Sequence, residues 1–148
     1  MDTITPLFEI GDYSNVIYLD RHLGYKSGVY VDDNVAWCLY SILDNYNVPN
    51  VESIDKNLTK VGLFHGPIIN SVSSSGYVMV NGISIDIFSV CDIVMAGDIH
   101  KQQSLYCGNT KVVYPSSLIQ QNFGESVENH GYMVWDMNTL DAKFHGID

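Results

Sequence analysis

Three short apolar runs in this sequence each end in groups able to hold a cation or meet an anion. Lys60-Val61-Gly62-Leu63-Phe64 runs into His65-Gly66. Ile93-Val94-Met95-Ala96 runs into Gly97-Asp98-Ile99-His100, and Lys111-Val112-Val113-Tyr114 into Pro115-Ser116-Ser117. Runs of this length, bounded by Gly or Pro, read as buried strands. Imidazole and carboxylate are ligands for divalent metals, and small polar loops with free backbone N–H groups receive anions. Sheet proteins tend to place such groups just past strand ends, on loops held by a rigid frame. Taken alone, His65 or His100 is more often a hydrogen-bonded strand-end residue than a ligand. Asp98 and His100 would point to opposite sides of an extended chain, so joint use of the two requires a turn between them.

The rest of the chain must position these three tails. Asn15-Val16-Ile17-Tyr18-Leu19 and Gly28-Val29-Tyr30-Val31 read as strands joined by a polar segment carrying Gly24 and Gly28. The run from Val35 to Leu43 is open between two readings. It is long enough for a helix capped by Asp32 or Asp33. It is also apolar on both faces and rich in aromatic and β-branched residues, as a central strand is. Residues 45–57 read as a loop, and Ser71 to Gly76 as a polar one. Tyr77 to Ile85 carries the Asn81-Gly82 hairpin signal, and Asp86 to Cys91 reads as a short helical connector. Gly131–Asp136 and Ala142–His145 read as two strands around Asn138-Thr139. No repeat, low-complexity segment or linker divides the chain, so residues 1–148 read as one domain.

The chain has 148 residues, 7 Lys+Arg against 17 Asp+Glu, and a net charge of -10. That balance argues against a basic surface that grips nucleic acid directly. It is compatible with an acidic site that recruits divalent cations, which then meet a phosphate. An ordinary solvated acidic surface gives the same number. Cys38, Cys91 and Cys107 form no CxxC pair, and two of them lie in apolar runs, which suggests reduced thiols in a cytoplasmic protein. Met1 to Ile10 does not read as a signal peptide, and no apolar run approaches the length of a membrane span. The expectation is a soluble protein of the cytoplasm, that of the host cell if it is viral.

The segments Gly97-Asp98-Ile99-His100-Lys101-Gln102-Gln103, Tyr114-Pro115-Ser116-Ser117-Leu118-Ile119-Gln120-Gln121-Asn122-Phe123-Gly124-Glu125 and Gly131-Tyr132 follow His65-Gly66 in order. In that order they resemble the calcineurin-like metallophosphoesterases, and within them the SbcD-type DNA exonuclease subunits, phage and viral versions especially. The resemblance runs over nearly the whole chain and is most specific from Val61 to Asp136. It implies an α/β fold with two sheets packed as a sandwich and flanked by helices, and it favours a strand for Val35 to Leu43. It implies a hydrolase: a metal-dependent DNA exonuclease or endonuclease of recombination or repair, with an SMC-like ATPase as partner. Such hydrolysis uses two divalent metals, here expected to be Mn2+, which activate a water and clamp the phosphoryl oxygens.

By the family pattern His65 ligates the second metal and His100 the first. At Asp98 the family commonly has a further second-metal His; the carboxylate is a harder ligand that still suits Mn2+ or Mg2+, or else Asp98 merely orients His100 or leaves the second site weak. Lys101, Gln102 and Gln103 follow the metal loop, which in the family lies near the DNA backbone, and could position a phosphate. Ser116 stands where the family usually has Gly, a residue that lets backbone N–H groups approach an anion. Ser116 and Ser117 are thus expected on the substrate side, with Gln120, Gln121, Asn122 and Glu125 next to the site. His22, His130 and His145 match no motif and are expected in exposed polar roles.

The family also carries Asp-x-His, Gly-Asp and Gly-Asn-His motifs ahead of these segments. They supply the other ligands and the catalytic His, and none is found here; Gly11-Asp12 lacks the strand-and-helix setting. Met1 to Phe8 resembles a stretch that follows the Gly-Asn-His motif, and the chain stops before the family's capping region. The expectation is the C-terminal part of a phosphoesterase domain, with no catalytic residue assigned and no activity alone. Sheet edges and an apolar inner face would need cover, for example from an N-terminal half supplied in trans. The alternatives are a non-catalytic interaction module and a degenerate fragment.

Overall fold

The structure is a computed structural model that describes residues 16–147. The readings of Met1 to Phe8, of Gly11-Asp12 and of Asn15 lie outside that range. Most of the ordered backbone is one six-stranded mixed sheet in the order β1-β2-β3-β4-β6-β5. Its strands are β1 (Gly28–Asp32), β2 (Val35–Tyr40), β3 (Thr59–His65), β4 (Ile93–Gly97), β5 (Gln103–Cys107) and β6 (Thr110–Tyr114). The four central strands, β2, β3, β4 and β6, run parallel, and β1 and β5 close the edges antiparallel. A separate antiparallel pair, β7 (Gly131–Asp136) and β8 (Asp141–Gly146), completes the strands. The expected mixed α/β chain is therefore present. The expected flanking helices are not found among the described residues, where helix is limited to α1 (Leu19–His22) and two 3-10 turns, Ile42–Asp44 and Ile85–Val90. None of these is long and apolar enough to cross a membrane.

Alternation along the strands gives the sheet two unlike faces. One carries Cys38 and Tyr40 of β2, Phe64 of β3, Val94 and Ala96 of β4, and Val112 and Tyr114 of β6, all buried. The 3-10 turn covers it with Phe88, whose ring meets Tyr40 and Phe64 edge-on at 4.9 and 5.1 Å between centroids. A Cβ at Gly62 would come within 2.9 Å of Val94 Cγ2, so a glycine is required there for β3 and β4 to pack under this layer. On the other face Val61, Ile93 and Val113 are buried, but Trp37, Leu39, Leu63 and Met95 are only half-buried. The β7–β8 hairpin lies over part of this second face. Lys111 Nζ sits 5.8 Å from the centre of the Trp135 ring, and Trp37, Met95 and Trp135 line a common apolar cleft of about 610 Å³.

Several sequence expectations are corrected here. Val16 to Tyr18 form no strand, and Leu19 opens α1, a single turn that runs out through Gly24 at φ +68°. The run from Val35 to Leu43 is a strand only as far as Tyr40; Ser41 then breaks it, its Oγ accepting from Leu43 N–H at 3.3 Å. Asn81-Gly82 does not turn a hairpin. Residues 77–83 instead pair backward with 68–72, through Ile68–Ile83 and Val72–Val78 bridges. Gly82 is needed for a close approach: a Cβ there would stand 2.5 Å from the Pro67 carbonyl oxygen. The strand β5 was not anticipated, although Gly108-Asn109, with Gly108 at φ +58°, is a two-residue hairpin signal.

Candidate metal site and adjoining cleft

Because β3, β4 and β6 are parallel, their carboxyl ends emerge at one edge of the sheet, where α/β proteins gather their ligands. His65, Gly97-Asp98 and Pro115-Ser116 therefore arrive side by side. His65 pairs in register with Gly97, and its ring lies over that residue so closely that a Cβ on Gly97 would be 2.8 Å from Nδ1. Asp98 then leaves the strand at φ +93°. This supplies the turn that the Asp98-to-His100 spacing requires. It also brings Asp98 Oδ1 to 4.0 Å from His65 Nε2, with the two side chains 43% and 80% exposed.

The backbone beneath this pair is held by two phenols. Tyr114 donates to the Gly66 carbonyl at 2.7 Å and Tyr46 to the His65 carbonyl at 3.1 Å. Burial pushes both hydroxyls up from their ordinary range, and the nearby Asp98 charge adds to the effect on each. They stay protonated and so remain donors. Ser116 sits at φ +92° and donates from Oγ to the His100 carbonyl at 3.0 Å, tying the tail of β6 to that of β4. Asp98 and Ser116 thus both hold a conformation that side-chain-bearing residues rarely adopt. Such strain is concentrated at functional sites, where the surrounding structure enforces it.

Two donor atoms 4.0 Å apart lie just inside the linear limit of roughly 4.2 Å set by two bonds of about 2.1 Å, so the exposed side chains must draw closer to hold one cation at a tetrahedral or octahedral angle. The fit is partial. Among the described residues no group of three His, Cys, Asp or Glu side chains is placed to hold a metal. His100, the third expected ligand, is not beside the other two. Its Nδ1 lies 2.6 Å from Oε1 of Glu125. The Glu125 side chain is 3% exposed, against 37% for His100, and it also accepts from Gln121 N–H at 2.8 Å and Asn122 Nδ2 at 2.7 Å. The Gln121 backbone N–H, then the His100 contact, hold this carboxyl below the usual carboxylate range. The sequence placed Glu125 only near the site; nothing in the residue pattern showed that its carboxylate would be the centre of this loop.

Lys101, Gln102 and Ser116 do gather, with His100, around a cleft of about 350 Å³. Ser117 is turned elsewhere, its Oγ 3.1 Å from His130 Nδ1. His130 is buried rather than exposed as expected. Its Nε2 lies 2.8 Å from the Ser126 carbonyl and its Nδ1 3.1 Å from the Ser117 carbonyl, so the ring staples the two ends of the 117–130 loop together. His145 stacks on Tyr132 at 5.3 Å, and His22 meets Tyr30 edge-on at 5.0 Å. All three cysteines are free, with Cys38 and Cys91 buried.

The chain is 30% identical over 148 residues to Uncharacterized protein R555 of Acanthamoeba polyphaga mimivirus, a match covering 93% of this chain and 10% of that protein. It thus spans about a tenth of the length of the curated relative. No protein-family model and no solved structure matches it.

Proposed function

We propose that this chain contributes one part of a divalent-metal-dependent phosphodiesterase, of the calcineurin-like, SbcD-type kind, acting on DNA in recombination or repair. The observation that carries the reading is the His65–Asp98 pair, 4.0 Å apart at the ends of adjacent parallel strands. The two residues that the resemblance assigns to the same metal are the two that the sheet register brings together. In this reading the six-stranded sheet is one layer of the two-sheet sandwich. His65 and Asp98 hold the second metal, His100 turns Nε2 toward the first, and Lys101, Gln102 and Ser116 face the phosphate. The chemistry such metals supply when bound, expected to be Mn2+, is polarisation of a phosphoryl oxygen and activation of a water. The remaining ligands come from other polypeptide, an N-terminal half in trans or a longer chain, and an SMC-like ATPase completes the assembly.

The test is Mn2+ titration of isotope-labelled chain, read by paramagnetic broadening of side-chain signals. Broadening centred on His65 and Asp98, abolished in Asp98→Ala, is expected; uniform or absent broadening overturns the reading. Hydrolysis of DNA is expected only when a segment carrying further carboxylate and His ligands is added.

A second reading, a non-catalytic interaction module, is favoured by the half-open apolar face at Trp37, Leu39, Leu63 and Met95. It predicts that capture of a purified ATPase partner is unaffected by His65→Ala and His100→Ala.

A further inference from the structure

The His100–Glu125 contact has a chemical content beyond holding a loop in place. Three groups converge on one nearly buried carboxylate: Gln121 N–H donates to Oε2 and Asn122 Nδ2 to Oε1, and His100 Nδ1 lies 2.6 Å from Oε1. A carboxylate receiving hydrogen bonds from donors that cannot accept is an anion, with no proton of its own to give. At 2.6 Å, the imidazole nitrogen facing Oε1 must therefore carry the hydrogen, because two lone pairs at that distance would repel. In a neutral ring the proton on Nδ1 leaves Nε2 bare. Among the described residues no donor or acceptor meets Nε2, and the ring lines the 350 Å³ cleft alongside Lys101, Gln102 and Ser116. His130, thirty residues along, is arranged differently. Its Nε2 faces the Ser126 carbonyl at 2.8 Å and its Nδ1 faces the Ser117 carbonyl and hydroxyl at 3.1 Å, so both of its ring nitrogens are engaged and neither is bare.

We propose that Glu125 is the positioning residue of His100: it fixes the ring as the Nδ1–H tautomer and presents the Nε2 lone pair to the cleft. Carboxylate-to-His contacts of this kind set both the tautomer and the orientation of histidines that bind metals. The role of Nε2 as a ligand rests on the proposed function; the tautomer assignment does not. The rest of the loop serves the same end. Gln120 Nε2 donates to the Glu125 carbonyl at 3.0 Å and Glu125 N–H to the Asn122 carbonyl at 3.2 Å, so the backbone around Glu125 is itself fixed.

The experiment is long-range 1H–15N correlation of the histidine rings in the full, metal-free chain. It is run at a pH where the ring nitrogen shifts no longer change, with His100 assigned by its loss in His100→Gln. Wild-type His100 is expected as Nδ1–H. Glu125→Ala is expected to move His100 toward Nε2–H or a mixture while His130 keeps its pattern. Asn122→Ala, which leaves the His100 contact in place, is expected to change neither. A wild-type His100 in the Nε2–H form overturns the proposal without any variant. So does a Glu125→Ala spectrum in which His100 is unchanged. If Glu125→Ala disorders the loop, the wild-type tautomer decides. Mn2+ or Zn2+ titration separates the two claims: apparent affinity at His100 is expected to drop about 10- to 100-fold in Glu125→Ala. An Nδ1–H tautomer with no metal response at His100 leaves the positioning role standing and removes the metal role.

Discussion

The two histidine–carboxylate contacts of this molecule are built in opposite ways. His65 and Asp98 project from the ends of neighbouring strands, with the backbone below them bolted down by Tyr46 and Tyr114. Their side chains are exposed and meet only at 4.0 Å. His100 and Glu125 are 2.6 Å apart, and the carboxylate is sheltered by a 117–130 loop tied by hydrogen bonds to Glu125 and His130. The first pair has a rigid frame and free side chains, as suits atoms awaiting a ligand. The second has its facing atoms paired, on a frame of few apolar contacts, so it is expected to open locally while the sheet stays folded. Frame and side-chain order are separate properties, and the site divides them between strand and loop.

The largest effect that tests this contrast comes from the frame. Phe88→Ala removes the ring that packs on Tyr40 and Phe64, and is expected to cost about 3–5 kcal/mol in chemical denaturation. The His65–Asp98 geometry should be lost only in that global transition. Next is Tyr114→Phe, which leaves the Gly66 carbonyl without its donor and should cost about 1–3 kcal/mol. If the edge is as rigid as its bonds imply, amide exchange at Gly66 and Gly97 accelerates together.

Asp98→Gly goes the other way. Glycine relieves the φ +93° conformation, so thermal stability should rise by about 1 kcal/mol while Mn2+ response at His65 disappears. Asp98→Ala should lose the response without the stabilisation. If the glycine variant is not the more stable of the two, Asp98 is not strained.

Acid gives the smallest and most local effect. The folded-state pKa of Glu125 is depressed, so its contribution is present above the unfolded carboxyl value of about 4.3 and fades as pH falls through the folded value. Signals of Gln121, Asn122 and His100 should therefore change below about pH 4.3 before those of β3 and β4. Glu125→Gln should abolish that early change, and a simultaneous change in sheet and loop would show that the two regions are one cooperative unit.

Much of the frame was legible in local patterning. Lys60 to Phe64, Ile93 to Ala96 and Lys111 to Tyr114 are apolar runs ended by Gly or Pro, and each is a central parallel strand. Asn138-Thr139 between alternating runs foretold β7 and β8. The errors fall where a local signal was used for a different purpose. Asn81-Gly82 resembles a turn, but its glycine admits the Pro67 carbonyl. Val16-Ile17 resembles a strand but finds no neighbouring strand to pair with among the described residues.

By itself, then, the sequence determined which residues arrive at the sheet's carboxyl edge, because strand length, polarity and chain order are local properties. The tertiary structure decided which of them meet. His65 faces Asp98 because β3 and β4 pair in the register that sets His65 opposite Gly97. His100 faces Glu125, twenty-five positions away, because a loop closes on a buried anion. Register and loop closure are set by long-range packing and by the need to satisfy buried charge, and neither is written in the spacing of the residues that use them.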